Sequence, residues 1–301
     1  MNQTNRLSSN ISRRFIKQKL SSSGLARVSH NYLTTNAGAQ HEVLLQHRAD
    51  NISTLTFNRP QKANAIGKLM LSQLRDCIAT LSGDQGNNIR CVILTSCGDK
   101  VFSAGADLKE RSNMSKDEAS SFVTSLRKCL DDLSSLPMPL IASVEGAALG
   151  GGLEIALTAD LIVAGRNATF GAPETSLAII PGAGGTQRLP RLIGSARAKE
   201  LIYTARRIDA ETAREFGIVQ HVTNEGCADE KALALAQEIA RNGPVALRAA
   251  KLSIDKGLDC ATLSEGMEIE KECYGKVLET KDRLEGLAAF KEKRKPNFKG
   301  Y

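Results

Sequence analysis

The sequence predicts an α/β fold. Short apolar strands alternate with segments of helical spacing from about residue 42 onward. The strands expected at 90–95 and 140–144 are mainly apolar, as in parallel sheets covered on both faces. Glycine clusters fall where strands end and helices begin, the place where α/β folds bind ligands.

Taken in order, Val43 to Gln46 and Ile52 to Phe57 read as paired strands joined through Ala49-Asp50-Asn51. Residues 66–81 carry Ile66, Leu69, Met70, Leu74, Ile78 and Leu81 at helical spacing. After the strand at 90–95, Val101 to Lys109 reads as a strand end turning through Gly105. Residues 117–133 form a helix with an apolar stripe at Phe122, Val123, Leu126 and Leu130, and Pro137 and Pro139 end that region. The strand at 140–144 leads to Gly150-Gly151-Gly152 and a helix over about 151–158, followed by a strand at 160–164. From Ser195 the chain is mainly helical, broken by a strand at about 218–222. Pro244 suits a first helical position. Thr280 suits a cap, with Asp282 in the first turn behind it.

Composition narrows the function. The 301 residues carry a formal net charge of +7, unevenly spread. Residues 1–41 contain no Asp or Glu, many serines, and Arg6, Arg13, Arg14, Lys17, Lys19 and Arg27. That pattern is the signature of a mitochondrial transit peptide, which places the mature protein in the matrix. The remainder holds 34 basic against 33 acidic side chains and is nearly neutral. No apolar run approaches the roughly 20 residues that span a bilayer, so no membrane partner is expected. Tryptophan is absent and aromatics are few, which argues against stacking on nucleic-acid bases. The seven cysteines form no C-x-x-C pair, so neither a metal site nor a disulfide framework is expected. Only His47 and His221 lie clear of the basic leader and its edge, and neither falls in a glycine segment. Proton chemistry therefore falls to carboxylates.

The carboxylates stand out. Glu154 follows the triple glycine at an expected helix start. Glu174 lies in Phe170-Gly171-Ala172-Pro173-Glu174-Thr175, just ahead of a second glycine loop, Pro181-Gly182-Ala183-Gly184-Gly185. Glycine lets backbone N–H groups approach a ligand closely. Such donors stabilise an oxygen that becomes negative during reaction, and two nearby carboxyls can then move protons. The chain has no G-x-G-x-x-G or Walker sequence, so no nucleotide redox or phosphoryl cofactor is expected.

Taken together, the segments around Gly105, Gly151, Glu174 and Gly182, with Asn58-Arg59-Pro60, Asn64-Ala65 and Phe290-Lys291-Glu292-Lys293-Arg294, resemble the enoyl-CoA hydratase (crotonase) family over roughly residues 43–300. The resemblance implies a crotonase-like spiral of ββα units with a C-terminal helical oligomerisation region. The expected divisions are a leader over 1–41, the spiral core over 42–223 and the helical region over 224–301. It implies hydration of a 2-enoyl-CoA, with coenzyme A as part of the substrate and no separate cofactor. By correspondence, Ala106 and Gly151 supply the oxyanion N–H groups and Gly182 helps position water. Glu154 orients and activates that water, and Glu174 gives a proton to Cα. Lys109 could approach the coenzyme A, while Phe290 and Lys293 match positions that reach the coenzyme A of a neighbouring subunit in a homotrimer or homohexamer. Ala104 to Arg111, Leu177 to Gly182 and Thr280 to Gly286 look closest to the mitochondrial methylglutaconyl-CoA hydratase branch, which points to leucine degradation alongside general fatty-acid breakdown. That branch also holds RNA-binding homologues with a lysine-rich helix. Here residues 66–81 hold only Lys68 and Arg75, which argues against nucleic acid.

Overall fold

The structure is a computed structural model that describes residues 41–84 and 88–301. The leader expected over 1–41 lies outside the described residues, save His41. Strands β1 (Val43–His47) and β2 (Ile52–Phe57) form an antiparallel hairpin, turned through Asn51 at φ 62°. Three strand pairs follow: β3 (Cys91–Ser96) with β4 (Val101–Ser103), β5 (Leu140–Val144) with β6 (Ala147–Leu149), and β7 (Leu161–Gly165) with β8 (Thr169–Gly171). Two short strands complete the set, β9 (Arg207–Asp209) and β10 (His221–Thr223).

The first strand of each pair enters a six-stranded sheet of order β1-β2-β3-β5-β7-β10. The second enters a four-stranded sheet of order β4-β6-β8-β9. A helical segment follows each pair, so the chain winds as repeated ββα units. This is the expected spiral, and it carries the α/β reading.

The apolar strands explain the layering. Side chains alternate across a strand. Val92 and Leu94 of β3 join the large core with helices α1 (Lys68–Ser82) and α3 (Lys116–Ser134). A one-turn helix, α2 (Leu108–Arg111), lies between those two in sequence. Cys91 and Ile93 face the other way, against Ala228, Ala232 and Ala236 of α8 (Ala228–Ile239). Those alanines recur every fourth residue, so one small-residue face of α8 lies close on the sheet. Helix α3 starts on a full capping box, Ser115 with Glu118.

Beyond the sheets the chain is helical: α9 (Pro244–Leu258), α10 (Leu263–Leu278) and α11 (Lys281–Glu292). Pro244 stands at the start of α9, and the Thr280 side chain accepts from Arg283 N at the start of α11. Asp282 is buried and accepts from Lys299 N and Gly300 N, which ties the C-terminal tail to that turn. Leu258, Leu263 and Phe290 are exposed on these helices.

Some elements differ from the sequence reading. Strands β6, β8 and β9 have three residues each, too few to show a period of two. A helix over Gly185–Ile193, α5, follows the short α4 (Gly151–Ala156) inside what reads as a glycine loop. Glycine at its start and Pro190 within it hide it from propensity. Helices α6 (Ser195–Thr204) and α7 (Ala210–Phe216) then lead to β10. The strand expected at 218–222 begins only at His221, because the N–H groups of Ile218 and Val219 both bond to Ala213 O and close the end of α7.

Candidate active site

Successive units of the repeat end at one place. The chain leaves β4, β6 and β8 into loops that carry Ala106, Gly151 with Glu154, and Glu174. After β4, Gly105 adopts φ +86°. Its carbonyl accepts from Ile66 N at 2.8 Å, and Asp107 N donates to Ile66 O at 3.0 Å. This is one rung of a parallel bridge between Ile66 and Ala106. In such a rung the flanking residues bond across, so the N–H of Ala106 itself points away from Ile66.

After β6, Gly150 turns at φ +53° and α4 begins at Gly151. A first helical N–H has no acceptor within its own helix. The two loops nearly touch. A Cβ on Gly105 would lie 2.8 Å from Gly151 N, so only glycine fits there, whereas one on Gly151 would lie 3.6 Å from Ala106 N. The N–H groups of Ala106 and Gly151 are thus neighbours from separate units, both lining one cleft.

Arg59 steadies the first loop. Its Nε pairs with Glu42 Oε1 at 2.8 Å, and its Nη1 contacts Asp107 Oδ2 at 2.9 Å and donates to Ala65 O at 2.8 Å. Asp107 caps α2, immediately after Ala106. Burial raises the Glu42 pKa, opposed by the Arg59 charge. Asn64 is fully buried: its amide donates to Cys97 O and Val101 O and accepts from Arg59 N.

Glu154 lies one turn into α4 and is buried. Its Oε1 accepts from Ala183 N at 2.8 Å and Gly185 N at 2.7 Å. Those donors are the entry to α5, which explains why glycines stand there. A Cβ on Gly185 would sit 2.8 Å from Pro181 Cβ and 3.0 Å from Glu154 Oε1. Burial pushes the Glu154 pKa up, and the two N–H donors pull it back toward the charged form.

Glu174 sits on a short 3-10 turn over Pro173–Leu177. Its Oε1 lies against Gly150, where an added Cβ would approach to 3.1 Å. Its Oε2 is buried and has no hydrogen-bond partner among the described residues. Burial pushes the carboxyl up to about 7, and the charge of Glu154 pushes the same way. One carboxylate is anchored through one oxygen, and the other is poised to hold a proton near neutral pH.

Gly182 lines the same cleft, and its carbonyl accepts from Arg127 Nε at 3.1 Å and Nη2 at 2.9 Å. The cleft measures about 2130 Å³, and Leu108, Phe122, Val123, Leu126, Ile179 and Ile180 supply apolar wall. Five expected site residues therefore meet: Ala106, Gly151, Glu154, Glu174 and Gly182. Lys109 is exposed on α2 and is not part of the cleft lining. Phe290 and Lys293, on and just after α11, are exposed and also lie outside it. His47, hydrogen-bonded to Ser53, and His221 do not line it.

Sequence reasoning missed Arg127 and the Glu42–Arg59–Asp107 cluster. Asn58-Arg59-Pro60 was a signal for the second; nothing local marks Arg127, whose carbonyl partner is 55 residues away.

A family model described as enoyl-CoA hydratase/isomerase matches residues 47–301. The chain is 46% identical over 260 residues to the mitochondrial methylglutaconyl-CoA hydratase of Mus musculus, covering 85% of this chain and 82% of that one. It is 44% identical over 279 residues to the mitochondrial enoyl-CoA hydratase domain-containing protein 2 of Mus musculus, covering 91% and 93%. The crystal structure of an enoyl-CoA hydratase from Bacillus anthracis superposes with a TM-score of 0.84 at 45% identity, covering 87% of this chain and all of that one.

Proposed function

The chain belongs to the enoyl-CoA hydratase/isomerase family and is an enzyme of the hydro-lyase type; from that premise we propose that it adds water across the 2,3 double bond of a short or branched 2-enoyl-CoA. The observation that carries this reading is the unlike pair of carboxyls. Glu154 is fixed through Oε1 by two N–H donors, and Glu174 presents an orphaned, buried Oε2.

Water is held between Glu154 Oε2 and Glu174. Glu154 takes a proton from it as the oxygen bonds to Cβ. The π electrons move through Cα to the thioester oxygen, which the N–H groups of Ala106 and Gly151 receive. Loss of one such donor typically costs about 3 kcal/mol of barrier stabilisation. Glu174 then gives its proton to Cα and the thioester carbonyl re-forms. Gly182 borders the water site, and Arg127 holds its carbonyl.

Coenzyme A enters as part of the substrate. Lys109, Phe290 and Lys293 are proposed to bind it, the last two across a homotrimer or homohexamer contact. Exposed Leu258, Leu263 and Phe290 on the last helices support such an assembly. The acid-free leader and mitochondrial relatives support a matrix location. A finer reading, methylglutaconyl-CoA hydration in leucine degradation, is favoured by the similarity to the mouse enzyme of that name.

Leader-free protein should hydrate crotonyl-CoA, followed as loss of the conjugated enoyl-thioester absorbance. Glu154→Gln and Glu174→Gln should each abolish that loss. Bound thioester without turnover in the parent protein would reject hydration.

A further inference from the structure

We infer that Arg127 is the specificity-determining residue for an enoyl thioester that carries a second carboxylate on its Cβ substituent. The inference rests on the hydratase reading of the same site.

Arg127 projects from α3 into the cleft. A guanidinium has five N–H donors in a planar fork. Nε and one N–H of Nη2 are spent on Gly182 O. The three remaining N–H groups, among them the end-on edge of one N–H on Nη1 and one on Nη2, have no protein partner among the described residues. That edge matches a carboxylate in bidentate geometry.

The charge on Arg127 is exposed to solvent and acts at a distance on Glu154, whose charged form it favours. Its hydrogen bonds go to a neutral carbonyl, and it forms no ion pair among the described residues. Arg188, another guanidinium of the same cleft, is held differently: its Nη2 pairs with Asp131 Oδ1 at 2.6 Å.

Location selects the substituent. Gly182 O and Ala183 N belong to one planar peptide, in which oxygen and nitrogen are about 2.3 Å apart. Arg127 Nη2 lies 2.9 Å from that oxygen, and Glu154 Oε1 lies 2.8 Å from that nitrogen. The guanidinium is therefore within about 8 Å of the carboxylate that works at Cβ. A carboxymethyl group on Cβ places its carboxyl carbon about 2.5 Å from Cβ, and a charge-assisted hydrogen bond adds about 2.8 Å beyond the carboxylate oxygen. From a Cβ seated beside Glu154 such a group would reach about 6.5 Å, the order of the separation between Glu154 and the guanidinium. Val123 and Leu126, beside Arg127 on α3, line the same wall and suit a neutral branch. The chemistry thus selects a short branched enoyl-CoA with a distal acid.

The test compares 3-methylglutaconyl-CoA with crotonyl-CoA. Arg127→Met should lower kcat/KM for the acidic thioester about 10- to 100-fold more than for the neutral one, chiefly through KM. Arg127→Lys should recover part of the difference. Equal losses on both substrates would overturn the inference and leave Arg127 as a support for Gly182. So would a parent protein that hydrates crotonyl-CoA and ignores the acid, or a selectivity loss that follows Arg111→Met instead. Dissociation constants of both thioesters, measured with Glu154→Gln and Glu154→Gln/Arg127→Met proteins, read the same preference without turnover. Equal weakening for both ligands there overturns Arg127 as the selector. An unchanged parent that fails on crotonyl-CoA overturns the hydratase reading instead.

Discussion

Glu174 carries a cost that a single substitution should reveal. Its carboxyl is raised from 4.5 to about 7, first by burial and then by the neighbouring charge of Glu154. Between those values the folded chain binds a proton that the unfolded chain has released, so stability falls as pH rises. Each unit of pKa corresponds to about 1.36 kcal/mol. From pH 5 to pH 8 the carboxyl therefore removes at most about 2.5 kcal/mol from the folded state, less whatever solvent in the open cleft screens. Glu174→Gln has no such titration. The variant should be more stable relative to the parent at pH 8 than at pH 5, by at least about 1 kcal/mol. Urea unfolding of both proteins at the two pH values, with matched m-values, measures this difference; titrating groups not coupled to Glu174 cancel in it, and the coupled Glu154 contributes to what is read. The same variant should lose hydration at every pH, and the parent's hydration kcat/KM should fall as pH rises through about 7. A Glu174→Gln effect on stability that is identical at pH 5 and pH 8 would refute the assignment of Glu174 as the proton-holding member of the pair.

Three further substitutions probe the frame. Gly151→Pro deletes one N–H at a helix position that accepts proline, and kcat should fall about 10²- to 10³-fold with far-UV circular dichroism retained. Gly151→Ala keeps the N–H, and its Cβ meets nothing closer than 3.4 Å, so its loss should be much the smaller in the same assay. Arg59→Met leaves Glu42 and Asp107 facing each other without their cation, and should destabilise the fold by about 3 kcal/mol in urea unfolding. Part of that loss should return at low pH, as Glu42, already raised, takes up a proton.

The legible parts of the sequence are those where one residue type has one physical use. Positive φ at Gly105 and Gly150, and close approach of Gly152 to the Ser103 backbone, are jobs for glycine, so the proposed oxyanion segments stood out. Mainly apolar runs such as 91–94 revealed covered strands. Strands of three residues, such as Ala147–Leu149, carry too little pattern to be seen. Helix α5 was hidden because its stability comes from elsewhere. Its first N–H, on Gly185, is satisfied by Glu154, 31 residues away, and not by a local cap. Arg127 looked like any polar position on an amphipathic helix. Its meaning lies in Gly182 O, a backbone atom that no residue type announces.

The alternation of strands between two sheets has a consequence for how this catalyst can change. One unit's exit loop supplies Ala106, the next supplies Gly151 and Glu154, and the third supplies Glu174. Each loop is its own cassette, held in register by the two sheets, and only Glu154 also ties its loop to the rest, at the start of α5. Exchanging the third loop would replace the proposed proton donor, while Ala106 and Gly151, the proposed thioester cradle, stand on the other two. A new reaction at Cα or Cβ is thus a change of one cassette, and the other two go on holding the substrate as before.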